Sequence, residues 1–270
     1  MKRNILFLVI SLLSCSYTYG QSFKQDFLAA LKAKDLAKAE KVLETWDLAD
    51  ANDAELYVSY FNFYTVKGLE KDSTVLEKEY ADKALSFISE GIERFPTRFD
   101  MRIVKIYMLG RIKEYSAYTE EVINMINYSV KIENNWKGEN FKLVERPDEM
   151  FEDAVLEFQE KLFAENNASL YDNIIQISNE MLKCYPNNIQ SRINMSTIYV
   201  EQKEYDKSID LLQQAIKINE MNPIVSYNLA HLFALKGDIV NAKKYFELTI
   251  VNAGKEERLK IIAQRQLDAL

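Results

Sequence analysis

The apolar positions of residues 189–256 recur with a period of 34. Ile189 to Asn222 reads IQSRINMSTIYVEQKEYDKSIDLLQQAIKINEMN, and Pro223 to Glu256 reads PIVSYNLAHLFALKGDIVNAKKYFELTIVNAGKE. Superposed, Met195-Ser196 falls on Leu229-Ala230, Tyr199 on Phe233, Ser208 on Ala242, Leu212 on Phe246 and Ala215 on Thr249. Each stretch carries one helical pattern, a short break such as Lys236-Gly237-Asp238, and a second helical pattern, so the period predicts helix–turn–helix units. Small residues at Ser196, Ala230, Ser208, Ala242 and Ala84 let paired helices approach closely. Tyr199, Phe233, Leu212 and Phe246 are large enough to fill the space between neighbouring pairs. One pair alone cannot bury its apolar face, so the units must stack.

The pattern continues upstream in weaker form. Val155 to Asn188 is the preceding 34 residues and ends Cys184-Tyr185-Pro186-Asn187-Asn188, with Ile174 and Met181 where small residues are expected. Ala84-x3-Ile88-x2-Gly91 followed by Phe95-Pro96 reads as a second helix, and Leu56-Tyr57 through Tyr64 to Gly68 as its first, with about eleven extra residues between them. Ala39-x3-Leu43-x2-Trp46 marks another second helix, and residues 99–131 supply a further pair around Tyr115.

These positions resemble the tetratricopeptide repeat, whose pattern is a bulky residue, Leu-Gly, Tyr, then Ala-x3-Phe and a closing Pro. The resemblance implies an all-α fold, a right-handed alpha-solenoid superhelix of such repeats; a generic helical bundle is the alternative. The expected divisions are 21–53, 54–98 with its insertion, 99–131, an insertion over 132–154 that holds Asn134-Asn135-Trp136, then 155–188, 189–222 and 223–256. A capping helix over 257–270 closes the array, with Leu259, Ile262, Leu267 and Leu270 on one face and Lys260 and Arg265 wet.

The first twenty residues break from this pattern. Met1-Lys2-Arg3-Asn4 is basic and Ile5 to Leu13 apolar, a run too short for the ~20 residues that span a bilayer. Thr18 and Gly20 then supply small residues, so 1–20 reads as a secretory signal cut before Gln21. Leu12-Leu13-Ser14-Cys15 also resembles a bacterial lipobox, which implies lipidation at Cys15 and a membrane anchor. Both readings make the protein exported, to the periplasm, the medium or an outer-membrane anchor.

Composition removes several chemistries. Gly is 7 and Pro 4, too few turn residues for a many-stranded sandwich or barrel. His231 is the single histidine, so multi-His zinc and iron sites are excluded, and the two cysteines cannot build a structural zinc site. Phosphate-loop, dinucleotide and nucleophile-elbow motifs are absent. Paired acids such as Glu120-Glu121 and Glu256-Glu257 point about 100° apart on a helix and read as solvated faces. A net charge of −7 argues against nucleic acid. No catalytic residue, metal or cofactor is expected.

In tetratricopeptide proteins the first helix of each pair lines a concave groove. The resemblance therefore places Tyr227, His231 and Leu235 on that surface, with Ile193, Thr197 and Glu201 as the neighbouring stripe and Tyr107 and Arg111 farther along. The Lys and Asn that clamp a carboxylate in chaperone-binding members are replaced by Ile193 with Thr197 and Tyr227 with His231, while Asn194 and Asn228 recur. The expectation is a scaffold that binds a peptide or partner helix in a bacterial envelope assembly. The rival is an envelope glycan-binding protein or enzyme using the aromatic-rich N-terminal half. Tyr57, Phe61 and Tyr64 share one face while Tyr60 and Phe63 point elsewhere, so one set reads as core and the other as a ligand platform or as packing under the insertion.

Overall fold

The computed structural model describes residues 19–69 and 75–270. The signal-sequence and lipobox readings at residues 1–18, Cys15 included, lie outside them. Thirteen α-helices order the described residues, and β-pairing among them is limited to three isolated bridges. The chain divides into two compact units, one of residues 19–121 with 131–152 and one of 122–130 with 153–270. Each is a solenoid-type stack of antiparallel helix pairs.

The first unit holds α1 (Tyr19–Lys32), α2 (Leu36–Ala49), α3 (Ala54–Lys67), α4 (Lys78–Arg94), α5 (Phe99–Arg111) and the start of α6 (Tyr115–Lys131). Helix α3 is buried on two sides. Tyr57 and Phe61 join Ala84, Ile88 and Met101 in one core cluster, while Leu56, Tyr60 and Phe63 join Phe27, Leu43 and Trp46 in another. Burying one such side chain contributes about 1.5–3 kcal/mol, so the N-terminal aromatics are a main source of this unit's stability. A Cβ at Gly91 would sit 2.9 Å from Tyr57 Cβ and 3.2 Å from Met101 Sδ, so glycine lets α4 close on α3 and α5.

The second unit holds the end of α6, most of α7 (Pro147–Ala164), then α8 (Tyr171–Cys184), α9 (Ile189–Glu201), α10 (Tyr205–Ile218), α11 (Pro223–Leu235), α12 (Ile239–Asn252) and α13 (Glu257–Asp268). Ser196, Ser208, Ala230 and Ala242 are buried where paired helices meet, and the Ser196 and Ser208 hydroxyls lie 2.6 Å apart across that contact. Leu212 and Phe246 are in the core, whereas Tyr199 and Phe233 are half-buried, Phe233 stacking on Tyr245 at 5.7 Å. The last helix buries Ala263; Leu259, Ile262 and Leu267 are half-buried, Leu270 is exposed and Lys260 is partly covered.

Local chemistry sets the helix ends. Asn188 and Asn222 accept backbone N–H bonds at the starts of α9 and α11, and Pro223 occupies the first turn of α11. Four turns inside helix pairs share one design. Lys34, Lys113, Lys203 and Gly237 adopt positive φ, and the acidic residue that follows each donates its N–H five residues back: Asp35 to Ala30, Glu114 to Leu109, Glu204 to Tyr199 and Asp238 to Phe233. This is the left-handed helix stop that glycine favours.

One boundary differs from the sequence reading. Helix α7 starts at Pro147, inside the stretch 132–154 expected as an insertion. Pro at the first helical position with Asp148 and Glu149 in the first turn accounts for the start. The stretch between α6 and α7 forms instead a short hairpin with one 3-10 turn, Glu139–Phe141, at its tip; Val144 N–H bonds Trp136 O and Gly138 N–H bonds Lys142 O.

Candidate functional site

Helices α9 and α11 both pack on α10, and the apolar cluster beneath them joins Ile193 to Val225, Leu229 and Leu232 around Ile209 and Leu212. This floor fixes which way the rest of each helix faces. Thr197 and Glu201 on α9, and His231 and Leu235 on α11, are exposed. Tyr227 is half-buried with its ring edge-on to Phe246 at 5.9 Å. Ile193 is 8% exposed and belongs to the floor, because its side of α9 turns toward α10 and α11. The Thr197 hydroxyl donates to Ile193 O at 3.0 Å, so it is already engaged by its own helix. The stripe thus offers a threonine, a carboxylate, an imidazole and a leucine on a rigid support. Tyr107 and Arg111 are half-buried on α5, in the first unit.

The recurring Asn194 faces inward. Its Nδ2 donates to Gln159 Oε1 at 2.9 Å and its Oδ1 accepts from Gln190, while Gln159 Nε2 donates to Ser178 Oγ at 2.7 Å. That buried chain ties α7, α8 and α9 together, so the Asn194 amide is committed to structure. Among the described residues no group of three His, Cys, Asp or Glu side chains could hold a metal ion.

The N-terminal aromatics stack on one another. Tyr60 lies 4.1 Å from Phe87, Phe87 5.6 Å from Tyr64, and Tyr64 6.5 Å from Tyr80, with interplanar angles of 12°, 14° and 22°. Lys83 Nζ lies over both Tyr64 and Tyr80. These rings and the Lys83 cation pack on one another along α3 and α4.

A charge cluster in the first unit escaped sequence reasoning. Glu55 at the start of α3 meets Lys24 of α1 at 2.6 Å and Arg98, just before α5, at 2.7 Å. Arg98 Nη1 meets Glu55 as an ion pair, while its Nε and Nη2 make a bidentate pair with Asp100 at 2.8 and 2.6 Å. Lys24 also meets Glu139 of the hairpin at 2.6 Å. Burial opposes ionisation of Glu55, but Arg98 and Lys24 outweigh it and hold its carboxyl below the usual range. Burial likewise works against Lys24, yet Glu55 and Glu139 raise it. The partners are 31 and 115 residues apart from Lys24, and no periodicity links such positions.

With this geometry in view, residues 197–237 match the family model described as TPR repeat, a segment that runs from Thr197 on α9 to the turn after α11. Comparison with curated proteins gives no match. Among solved structures the chain is similar to YrrB, a TPR protein with an unusual peptide-binding site, at 12% identity over 83% of this chain and 97% of that one, with a TM-score of 0.42. It is similar to TTC0263, a thermophilic TPR protein of Thermus thermophilus, at 13% identity over 92% and 98%, TM-score 0.31. The TPR2AB domain of yeast Sti1, solved as a complex with pHSP90, is 10% identical over 93% and 96%, TM-score 0.36.

Proposed function

We propose that this chain is an exported protein–protein interaction scaffold whose second unit takes a peptide or partner helix along the first helices of its pairs. The observation that supports it is the exposed stripe Thr197, Glu201, His231 and Leu235, with half-buried Tyr227, all inside the segment matching the TPR repeat model. Its floor is packed before any partner arrives, which keeps the ordering cost of binding low. A 50%-exposed Leu235 on the same stripe as an imidazole and a carboxylate suits an amphipathic segment better than a purely charged one.

Export, by cleavage before Gln21 or lipidation at Cys15, and a role in envelope assembly belong to the same reading. They rest on the basic, apolar and small residues of 1–20. No helix among the described residues is long and apolar enough to cross a membrane.

Replacing Tyr227 and His231 together by Ala tests the groove. The double variant is expected to keep the wild-type melting curve to within a few degrees and lose partner capture about tenfold or more, as removal of two central contacts does. Undiminished capture by a folded variant would move the site off α11.

A further inference from the structure

The hairpin between α6 and α7 is anchored at its base and held at its tip by quite different forces. Trp136, 1% exposed, packs against Phe99 at 5.2 Å, and Asn134 Nδ2 donates to Asp148 at 2.6 Å, so the base is part of the core. The first strand of the hairpin, which lies between its second strand and the segment before α5, pairs with that segment: Lys137 N–H bonds Thr97 O at 2.9 Å, and Phe99 N–H bonds Lys137 O at 2.8 Å. Two residues on, Glu139 meets Lys24 of α1, and Asn140 N–H donates to Glu55 of α3 at 3.2 Å. Beyond the strand pairing, polar contacts and the Phe141 ring hold the tip, and that ring, 47% exposed, lies 5.7 Å from Phe95 and 5.5 Å from the Arg98 guanidinium. Asn140 and Phe141 both adopt positive φ, which is ordinary for Asn and uncommon for Phe, and they close the turn at the tip.

These are the contacts by which a sheet edge or groove holds a separate peptide: a strand-paired residue, an acidic side chain on a lysine, and a backbone N–H on a carboxylate. We propose that residues 137–143 are a built-in ligand of the first unit, occupying a site that takes a peptide turn with an acidic side chain two positions after its strand-paired residue, as the turn Glu139–Phe141 presents it. The tip blocks that site until Glu139 leaves Lys24. An external acidic peptide then enters in its place, while Trp136 keeps the hairpin tethered. This site lies in the first unit and does not depend on the α9 and α11 stripe, so either reading can fail alone.

The test uses the full chain and a synthetic peptide of residues 137–143, acetylated and amidated. In the variant Glu139→Ala with Asn140→Pro, the tip loses its carboxylate and its donated N–H. Titration calorimetry is expected to show the peptide binding this variant at least about tenfold more tightly than wild type, and that gain to vanish when Lys24→Met is added. Equal affinity for wild type and variant, no binding to a folded variant, or binding indifferent to Lys24→Met would each overturn the proposal. Should the double variant fail to fold, hydrogen exchange on Glu139→Ala alone decides. The Asn140 amide is expected to exchange about tenfold faster with Trp136 fluorescence unchanged, and an unaltered Asn140 rate would refute a releasable tip.

Discussion

Glu55 and Gly91 show how single residues set the first unit. Glu55 is 6% exposed and holds the fully buried Arg98, so Glu55→Ala would leave a guanidinium with less compensation in the core. Because Asp100 still pairs with Arg98 and Glu139 with Lys24, the expected loss is about 1–3 kcal/mol, below that of an uncompensated buried charge. Because its folded-state carboxyl titrates below the unfolded value of about 4.3, its contribution is complete above that value and disappears as pH falls through the lower one. Thermal melts from pH 7 to 3 should therefore show wild type losing stability with acid while the gap to Glu55→Gln narrows. A gap independent of pH would contradict the charge account. Gly91→Ala should cost roughly 1–3 kcal/mol in denaturant titration, because its methyl would press on Tyr57 Cβ, an atom fixed to the α3 backbone.

Among the elements, the pairs α9–α10 and α11–α12 are the most legible from sequence. Their small residues meet at helix crossings and so repeat in register, and Ala230 is fully buried as that register requires. Ala230→Trp should overpack the contact and lower stability by roughly 1–3 kcal/mol, and an unchanged melting curve would mean the register is wrong. The shared turn yields an opposed pair of substitutions. Gly237→Ala forces a Cβ into positive φ and should cost about 1 kcal/mol, whereas Lys203→Gly should stabilise by a similar or smaller amount, both read by thermal melting. The hairpin 136–144 was not legible, since an ion pair spanning 115 positions leaves no local pattern. The start of α7 is legible in Pro147-Asp148-Glu149, but the 34-residue period places the repeat boundary at Val155 instead. On the candidate stripe, spacing could identify the face shared by Ile193, Thr197 and Glu201, yet not that the face rolls inward at Ile193, which depends on what α10 and α11 place beneath it.

For the whole molecule, helix content and chain processing are the quantities at stake. Circular dichroism should be dominated by helix, as the thirteen helices require. Under the export proposal, intact mass of the chain expressed from Met1 should give a species beginning at Gln21 or a heavier, acylated one beginning at Cys15; an unprocessed chain starting at Met1 would contradict that proposal. The central claim is that the outward stripe of α9 and α11 receives a partner. Photo-crosslinking from single positions in the full chain, in its native cells, tests it most directly, with exposed Gln214 on α10 as the control. Adducts to a protein from positions 197 and 231, and none from 214, are the predicted result. Adducts from 214 with none from 197 or 231 would contradict it.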